Sequence, residues 1–172
     1  FNEVGARITV DQAIANGVAS IQNAQIGGAG GWIYAGPGTD MSCTQFALGG
    51  LAAASVHLPQ AGAAFPVERR FLEGDQRPDG GQPYRAGGGS TRSMTASGLW
   101  TQRIVGLPPE DAGVQRSLAW LRDNYTYEWA DRSRYYFLWA AAKGLEVTGR
   151  SAGALSAADI GGLRDPAADG YP

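Results

Sequence analysis

Residues 25–34 of the chain read QIGGAGGWIY and residues 76–84 read QRPDGGQPY, two glycine-rich stretches that follow one pattern. Gln25 and Gln76 lie 51 positions apart, and the glycine pairs that follow them begin at Gly30 and Gly80, 50 positions apart. Similarity at a fixed spacing is typical of repeat architectures. The two stretches therefore predict repeated units of about 50 residues, each built around a glycine turn.

Helical patterns flank both stretches. Before the first, apolar residues recur at helical spacing from Val10 to Ile21, and after it a helix rich in small residues is predicted over about 41–56. The same layout predicts second helices over about 92–105 and 132–143. A third unit, which lacks the Gly-Gly pair, includes residues 118–121 and Trp129. The predicted units span about 8–58, 65–107 and 111–149.

This layout predicts an all-α fold of helical hairpins over residues 1–150, followed by a Gly/Ala-rich tail over 151–172. The 172 residues suit one domain. Because the chain begins with Phe1 rather than Met, we expect it to be a segment of a longer polypeptide. The compartment cannot be read from this segment.

Composition excludes several classes of function. The net charge is −2, and charged residues make up 17%, so there is no basic excess of the kind that neutralises nucleic-acid phosphates. No apolar run is long enough to span a membrane. A single cysteine and a single histidine exclude an internal disulfide framework and a Cys/His-rich metal site.

The glycine turns themselves are interpreted as structural. Glycine permits positive φ and close backbone approach, while the aromatic residue after it can cover the end of the preceding helix. The Gln can bond backbone groups left unpaired at that helix end. A phosphate-binding loop is the functional alternative, but its glycine-lysine patterns are absent. The structural set comprises Gln25, Gly30, Gly31, Trp32, Gln76, Gly80 and Gly81.

The order of helix, Gln, Gly-Gly-Trp and a second helix entered through Asp-x-Ser-x-Thr resembles the repeat of the terpenoid cyclase and protein prenyltransferase superfamily. The Gln-to-Trp element is similar to the QW motif of squalene and hopene cyclases. This resemblance implies an α/α toroid, in which outer and inner helices alternate around a cavity. Complete domains of that family have more hairpins than are found here, so the resemblance implies a partial toroid. We expect such an open array to self-associate.

Residues 40–44 (DMSCT) align with the D-x-D-D-T motif of the cyclases, whose central aspartate protonates an alkene. Ser42 occupies the position of the proton donor and Cys43 that of the last aspartate. A serine hydroxyl is too weak an acid for this step near neutral pH. The alignment therefore implies the α/α-toroid fold of the superfamily but argues against the cyclase reaction.

Prenyltransferases of the superfamily hold zinc through Asp, Cys and His, for which Asp40, Cys43 and His57 are the available trio. A helix of about 14 residues separates Cys43 from His57, and its rise is about 20 Å. We therefore expect no metal and no cofactor.

Six residues are candidates for ligand binding. Asp40, Ser42 and Thr44 open an inner helix at one end of the implied cavity, while Tyr135, Tyr136 and Trp139 form an aromatic cluster on the third inner helix. Each set has a structural alternative. Asp40 suits a helix cap, the hydroxyls recur at Ser93 and Thr95, and aromatic clusters commonly pack cores.

Three hypotheses of function follow. The first is a non-cyclising, non-catalytic module that binds an apolar small molecule or a protein partner. The second is a divergent enzyme of isoprenoid or lipid-like substrates, completed by another domain or chain. The third is a carbohydrate-active α/α-toroid protein. Neither nucleic acid nor a membrane span is expected in any of them.

Overall fold

A computed structural model describes residues 8–27, 30–124 and 133–152, with side chains up to residue 149. Trp129 and the predicted tail beyond Ala152 lie outside these residues. The described part is all-helical, as predicted, and its only β-type pairings are isolated bridges such as Trp32 with Asp40. Six α-helices are seen in it: α1 (Val10–Asn23), α2 (Met41–Ser55), α3 (Phe65–Asp75), α4 (Arg92–Ile104), α5 (Ala112–Asp123) and α6 (Arg134–Ala152).

Helix ends agree closely with the sequence patterns for α2 and α4. Each begins after a side chain that caps its first turn: Asp40 accepts a hydrogen bond from Cys43 N, and Thr91 accepts one from Met94 N. Helix α6 runs nine residues beyond the predicted end at Lys143, because nothing in 144–152 breaks a helix strongly. A short 3₁₀ helix (Pro59–Ala64) joins α2 to α3.

Helix α4 is the centre of the core. It packs against α2, α5 and α6, and its residues from Ser93 to Leu99 are all buried. Fully buried leucines from neighbouring elements, among them Leu48, Leu72 and Leu121, complete the apolar interior. The helices α2, α4 and α6 thus form one packed layer, with α1, α3 and α5 preceding them in the chain.

Small residues bring these helices close together, as their abundance predicts. A Cβ on Gly49 of α2 would lie 2.8 Å from the indole of Trp100, and one on Gly144 of α6 would lie 3.2 Å from Leu99. The close layer of α2, α4 and α6 therefore depends on glycine. The partial toroid stays a prediction.

No helix within the described residues is both long enough and apolar enough to cross a membrane.

Candidate functional site

Thr44, one of the candidate ligand residues, holds the glycine turn against α2. Its Oγ1 accepts a hydrogen bond from Trp32 N at 3.1 Å and donates one to Asp40 O at 2.8 Å. The same two bonds occur 50 or 51 residues later, at 2.9 and 2.8 Å, among Thr95, Gln82 and Thr91. The Thr44 hydroxyl thus uses its donor and one acceptor position within the chain, which favours the structural alternative for this residue.

Trp32 covers the end of α1, as expected. Its Nε1 donates to Ile21 O at 2.7 Å, a carbonyl in the last turn of α1 that also accepts a longer hydrogen bond from Ala24 N at 3.2 Å. In the second turn the residue at this position is Gln82, whose Nε2 donates to Leu72 O at 3.3 Å. An amide therefore replaces an indole in the same capping role.

The side-chain amides of the two glutamines before the glycine pairs do not bond to their own helix ends, and this part of the prediction is wrong. Gln25 Nε2 donates to Glu68 of α3. Gln76 Nε2 donates to Gly113 O at 2.9 Å and Ser117 Oγ at 3.0 Å, both in α5. Because Trp32 and Gln82 already take the helix-end carbonyls, each glutamine instead links its turn to the next outer helix.

The first glycine of each pair lets that next helix approach. Gly30 has φ +75°, and a Cβ there would lie 2.9 Å from Phe71 Cβ in α3. Gly80 has φ +92°, and a Cβ there would lie 2.7 Å from Arg116 O in α5. Both positions need glycine for its backbone conformation and for space.

The second glycine of each pair donates its N–H to a carboxylate of the chain. Gly31 N donates to Glu68 Oε1 at 2.7 Å, and Gly81 N donates to Asp79 Oδ1 at 2.9 Å. The backbone N–H that could bind an anion in each turn is thus already paired with a carboxylate of the protein itself. This arrangement favours the structural interpretation over a phosphate-binding loop.

Asp40 and Ser42 form a local pair at the start of α2. Asp40 is buried, and its Oδ1 accepts hydrogen bonds from Cys43 N and from Ser42 Oγ, both at 2.7 Å. The Ser42 hydroxyl hydrogen is therefore directed to the helix cap. Asp40 Oδ2 is buried without a hydrogen-bond partner.

The surroundings of Cys43 make its thiol unreactive. Burial, and then the neighbouring Asp40 carboxylate, raise the pKa of the Cys43 thiol to about 11. The thiol stays protonated at neutral pH, and a protonated thiol is neither a good nucleophile nor a metal ligand. His57 lies beyond the end of α2, and no group of three His, Cys, Asp or Glu residues in the described ranges is arranged to hold a metal ion.

An aromatic face lies across α2, α4 and α6; its residues are Phe46, Trp100, Tyr136 and Trp139. Phe46 stacks on Trp139 at 5.3 Å between ring centroids, and Trp100 meets Trp139 edge-on at 5.2 Å. Half of the Phe46 surface is exposed (50%), and Trp139 is 38% exposed. Three helices therefore present one continuous, partly uncovered aromatic surface.

A polar spot adjoins this face at the Tyr136 hydroxyl. Gln45 Nε2 donates to that hydroxyl, and Ser97 Oγ lies 3.4 Å from it. Burial raises the pKa of Tyr136 to about 12, so the phenol is neutral at physiological pH. The buried Gln45 Oε1 has no partner. The aromatic face thus carries uncharged hydrogen-bonding groups along one border.

The structure divides the predicted aromatic cluster. Tyr136 and Trp139 belong to the face, whereas Tyr135 is 74% exposed and has the Arg134 guanidinium 4.8 Å from its ring centroid. Phe46 and Trp100 were missed from the sequence. The available signal is that each is the one large aromatic residue in a helix otherwise rich in small side chains.

Comparisons with known proteins found no match to a family model, a curated protein or a solved structure.

Proposed function

We propose that this domain is a non-catalytic binding module that holds an apolar ligand on its aromatic face. The observation that carries the proposal is the stack of Phe46 on Trp139, with Trp100 edge-on, at the meeting of three helices. Aromatic side chains left partly exposed in one continuous patch commonly mark a binding surface. The resemblance to the terpenoid cyclase superfamily favours the same interpretation, since inner helices line the cavity of its toroid.

The chemistry of nearby groups supports binding rather than catalysis. The Ser42 hydroxyl donates to Asp40, the Cys43 thiol is protonated, and the Tyr136 phenol is neutral. None of these groups is a strong acid that could protonate an alkene, and none is an activated nucleophile. The proposed role therefore needs only shape, apolar area and hydrogen bonding.

The class of ligand follows from the stacked rings of the aromatic face and from its polar border at Tyr136. Stacked rings favour a flat or unsaturated hydrocarbon, because such groups gain contact area and edge-to-face geometry. Covering about 100 Å² of apolar surface is worth about 2.5 kcal/mol. A hydroxyl at one end of the ligand would suit the Tyr136 border. A branched polyunsaturated alcohol such as farnesol fits both parts.

A farnesol titration tests the proposal. Binding is measured by the displacement of the fluorescent apolar probe N-phenyl-1-naphthylamine. We expect saturable binding by the native chain and binding about tenfold weaker in Trp139→Ala, a change of about 1.4 kcal/mol. Tyr135→Ala is the matched control, because it removes a more exposed aromatic ring from the same helix. Equal affinity in Trp139→Ala and the native chain, or an equal loss in Tyr135→Ala, would count against the aromatic face.

A further inference from the structure

A cavity of about 340 Å³ lies between the first glycine turn and the first half of α2. Three aromatic side chains, those of Trp32, Tyr34 and Phe46, line it together with Cys43 and with small or apolar residues. Tyr34 is 77% exposed and Phe46 is half exposed, so both rings are open to a bound molecule. Sites for small molecules commonly have volumes of about 300–1,000 Å³. We call this space the first-turn cavity.

Asp40 places a negative charge directly behind the wall of this cavity. Its side chain is buried, and its Oδ1 accepts a hydrogen bond at 2.7 Å from the N–H of Cys43, whose side chain lines the cavity. Within the described residues no ion pair joins Asp40 to a basic side chain, and its Oδ2 has no hydrogen-bond partner. The N-terminus of α2 offsets only about half of one charge. A net negative charge therefore stays beside the cavity.

The charge of Asp40 acts on groups that line the cavity. After burial, the Asp40 carboxylate is the largest cause that raises the pKa of the Cys43 thiol to about 11. The pKa of Tyr34 is raised chiefly by Cys43, and Asp40 raises it further. A charge that raises pKa values in this way stabilises a cation in the same place. Because Asp40 is buried, salt screens its charge less than it screens that of a surface group.

The second unit shows that the fold does not require this combination of charge and rings. There Thr91 caps α4, and the amide of Gln82 covers the end of α3. The counterpart of Phe46, 51 residues later, is Ser97. The carboxylate and two of the three rings of the first-turn cavity are thus replaced by uncharged, non-aromatic side chains in a unit with the same helices and the same turn. Their presence in the first unit favours a role in binding.

We propose that the first-turn cavity binds an organic cation of the quaternary ammonium class. The faces of aromatic rings attract such a cation, and the Asp40 carboxylate behind the wall attracts it further. A quaternary ammonium group has no N–H to satisfy, so it needs no direct contact with the buried carboxylate. The site shares Phe46 with the aromatic face but does not depend on the binding of an apolar ligand there.

A comparison of choline with 3,3-dimethyl-1-butanol tests the proposal, because the two molecules have nearly the same shape and only choline is charged. Titrations of the native chain, followed by ¹H–¹⁵N NMR, should show saturable choline binding at least about tenfold tighter than that of the alcohol. Asp40→Asn should weaken choline binding at least about fivefold, because it removes the charge. Asparagine is as good a helix cap as aspartate, so the variant keeps the fold.

Tyr34→Ala tests the rings without altering the helix cap. Loss of one cation–π contact should weaken choline binding at least about threefold. Tyr84→Ala is the matched control, since it removes the corresponding ring of the second unit, 50 residues later, and should leave choline binding unchanged.

Three results would overturn the proposal. The first is that choline does not bind, or binds no more tightly than its neutral isostere. The second is that the choline affinity of the folded Asp40→Asn variant equals that of the native chain. The third is that Tyr34→Ala and Tyr84→Ala have equal effects, because the cavity would then not be the place where choline binds.

Discussion

Replacement of Gly80 by alanine is expected to destabilise the domain by about 3 kcal/mol, the sum of a conformational and a packing cost. Gly80 has φ +92°, where a residue with a Cβ is strained by about 1–2 kcal/mol. The new Cβ would also lie 2.7 Å from Arg116 O, a backbone atom that cannot turn aside. The glycine turn and α5 would have to separate, which should appear as a lower urea midpoint.

Gly87→Ala separates the two costs. Gly87 has φ +80°, but a Cβ there meets nothing within 4 Å. We therefore expect only the conformational cost, about 1–2 kcal/mol. If both variants lose the same stability, the close joint between the turn and α5 contributes nothing, and the packing argument for the turns is wrong.

Glu68→Ala is expected to cost about 3 kcal/mol, because it removes a buried acceptor from two donors. Glu68 is fully buried on α3, where its Oε1 accepts hydrogen bonds from Gly31 N and Gln25 Nε2. Alanine leaves the Gly31 N–H without a partner and opens a cavity beside the turn. Glu68→Gln keeps an oxygen for that N–H and should cost less than about 1 kcal/mol at neutral pH.

The native chain and Glu68→Gln should also differ in how their stability depends on pH. Burial raises the pKa of Glu68 above its ordinary value of 4.5. The folded state therefore binds this proton more tightly than the unfolded state does. The stabilisation is fully present below pH 4.5 and is lost as the pH rises through the folded pKa.

Urea unfolding of the native chain and Glu68→Gln at several pH values measures this effect. The native chain should lose stability relative to Glu68→Gln as the pH rises from 4.5, and the difference should then become constant. Because both chains share every other titrating group, the difference isolates Glu68. A stability difference that does not change with pH, or one that changes in the opposite sense, would show that burial does not raise the pKa of the Glu68 carboxyl.

The features that could be predicted from the sequence are those formed between residues close together in the chain. The Asp40 cap and the positive φ angles of the recurring glycines are local features of the backbone, so the roles of these residues in capping and turning follow from spacing alone. The covering of α1 by Trp32 is likewise a contact over eleven residues. For this reason the bounds of α2 and α4 were predicted to within one residue.

Contacts between units could not be predicted in the same way. Gln25 reaches Glu68 over 43 residues, and Gln45 reaches Tyr136 over 91, so their partners depend on how the helices pack. The aromatic face has the same origin, because Phe46, Trp100 and Trp139 come from three different helices. The sequence pattern predicted Tyr136 and Trp139 but also Tyr135, which lies outside the face, since neighbours along the chain do not reveal which side of α6 faces α4.

Two-dimensional ¹H–¹⁵N NMR of the indole N–H groups during a farnesol titration tests the central claim most directly. The chain has five tryptophans, of which Trp100 and Trp139 belong to the aromatic face. Trp120 lies on α5, which contributes no residue to the face, and donates its indole N–H to Asp79 Oδ2. We expect the Trp100 and Trp139 signals to shift in a saturable manner while that of Trp120 stays in place. Unchanged Trp100 and Trp139 signals, or an equal shift of the Trp120 signal, would contradict binding at the aromatic face.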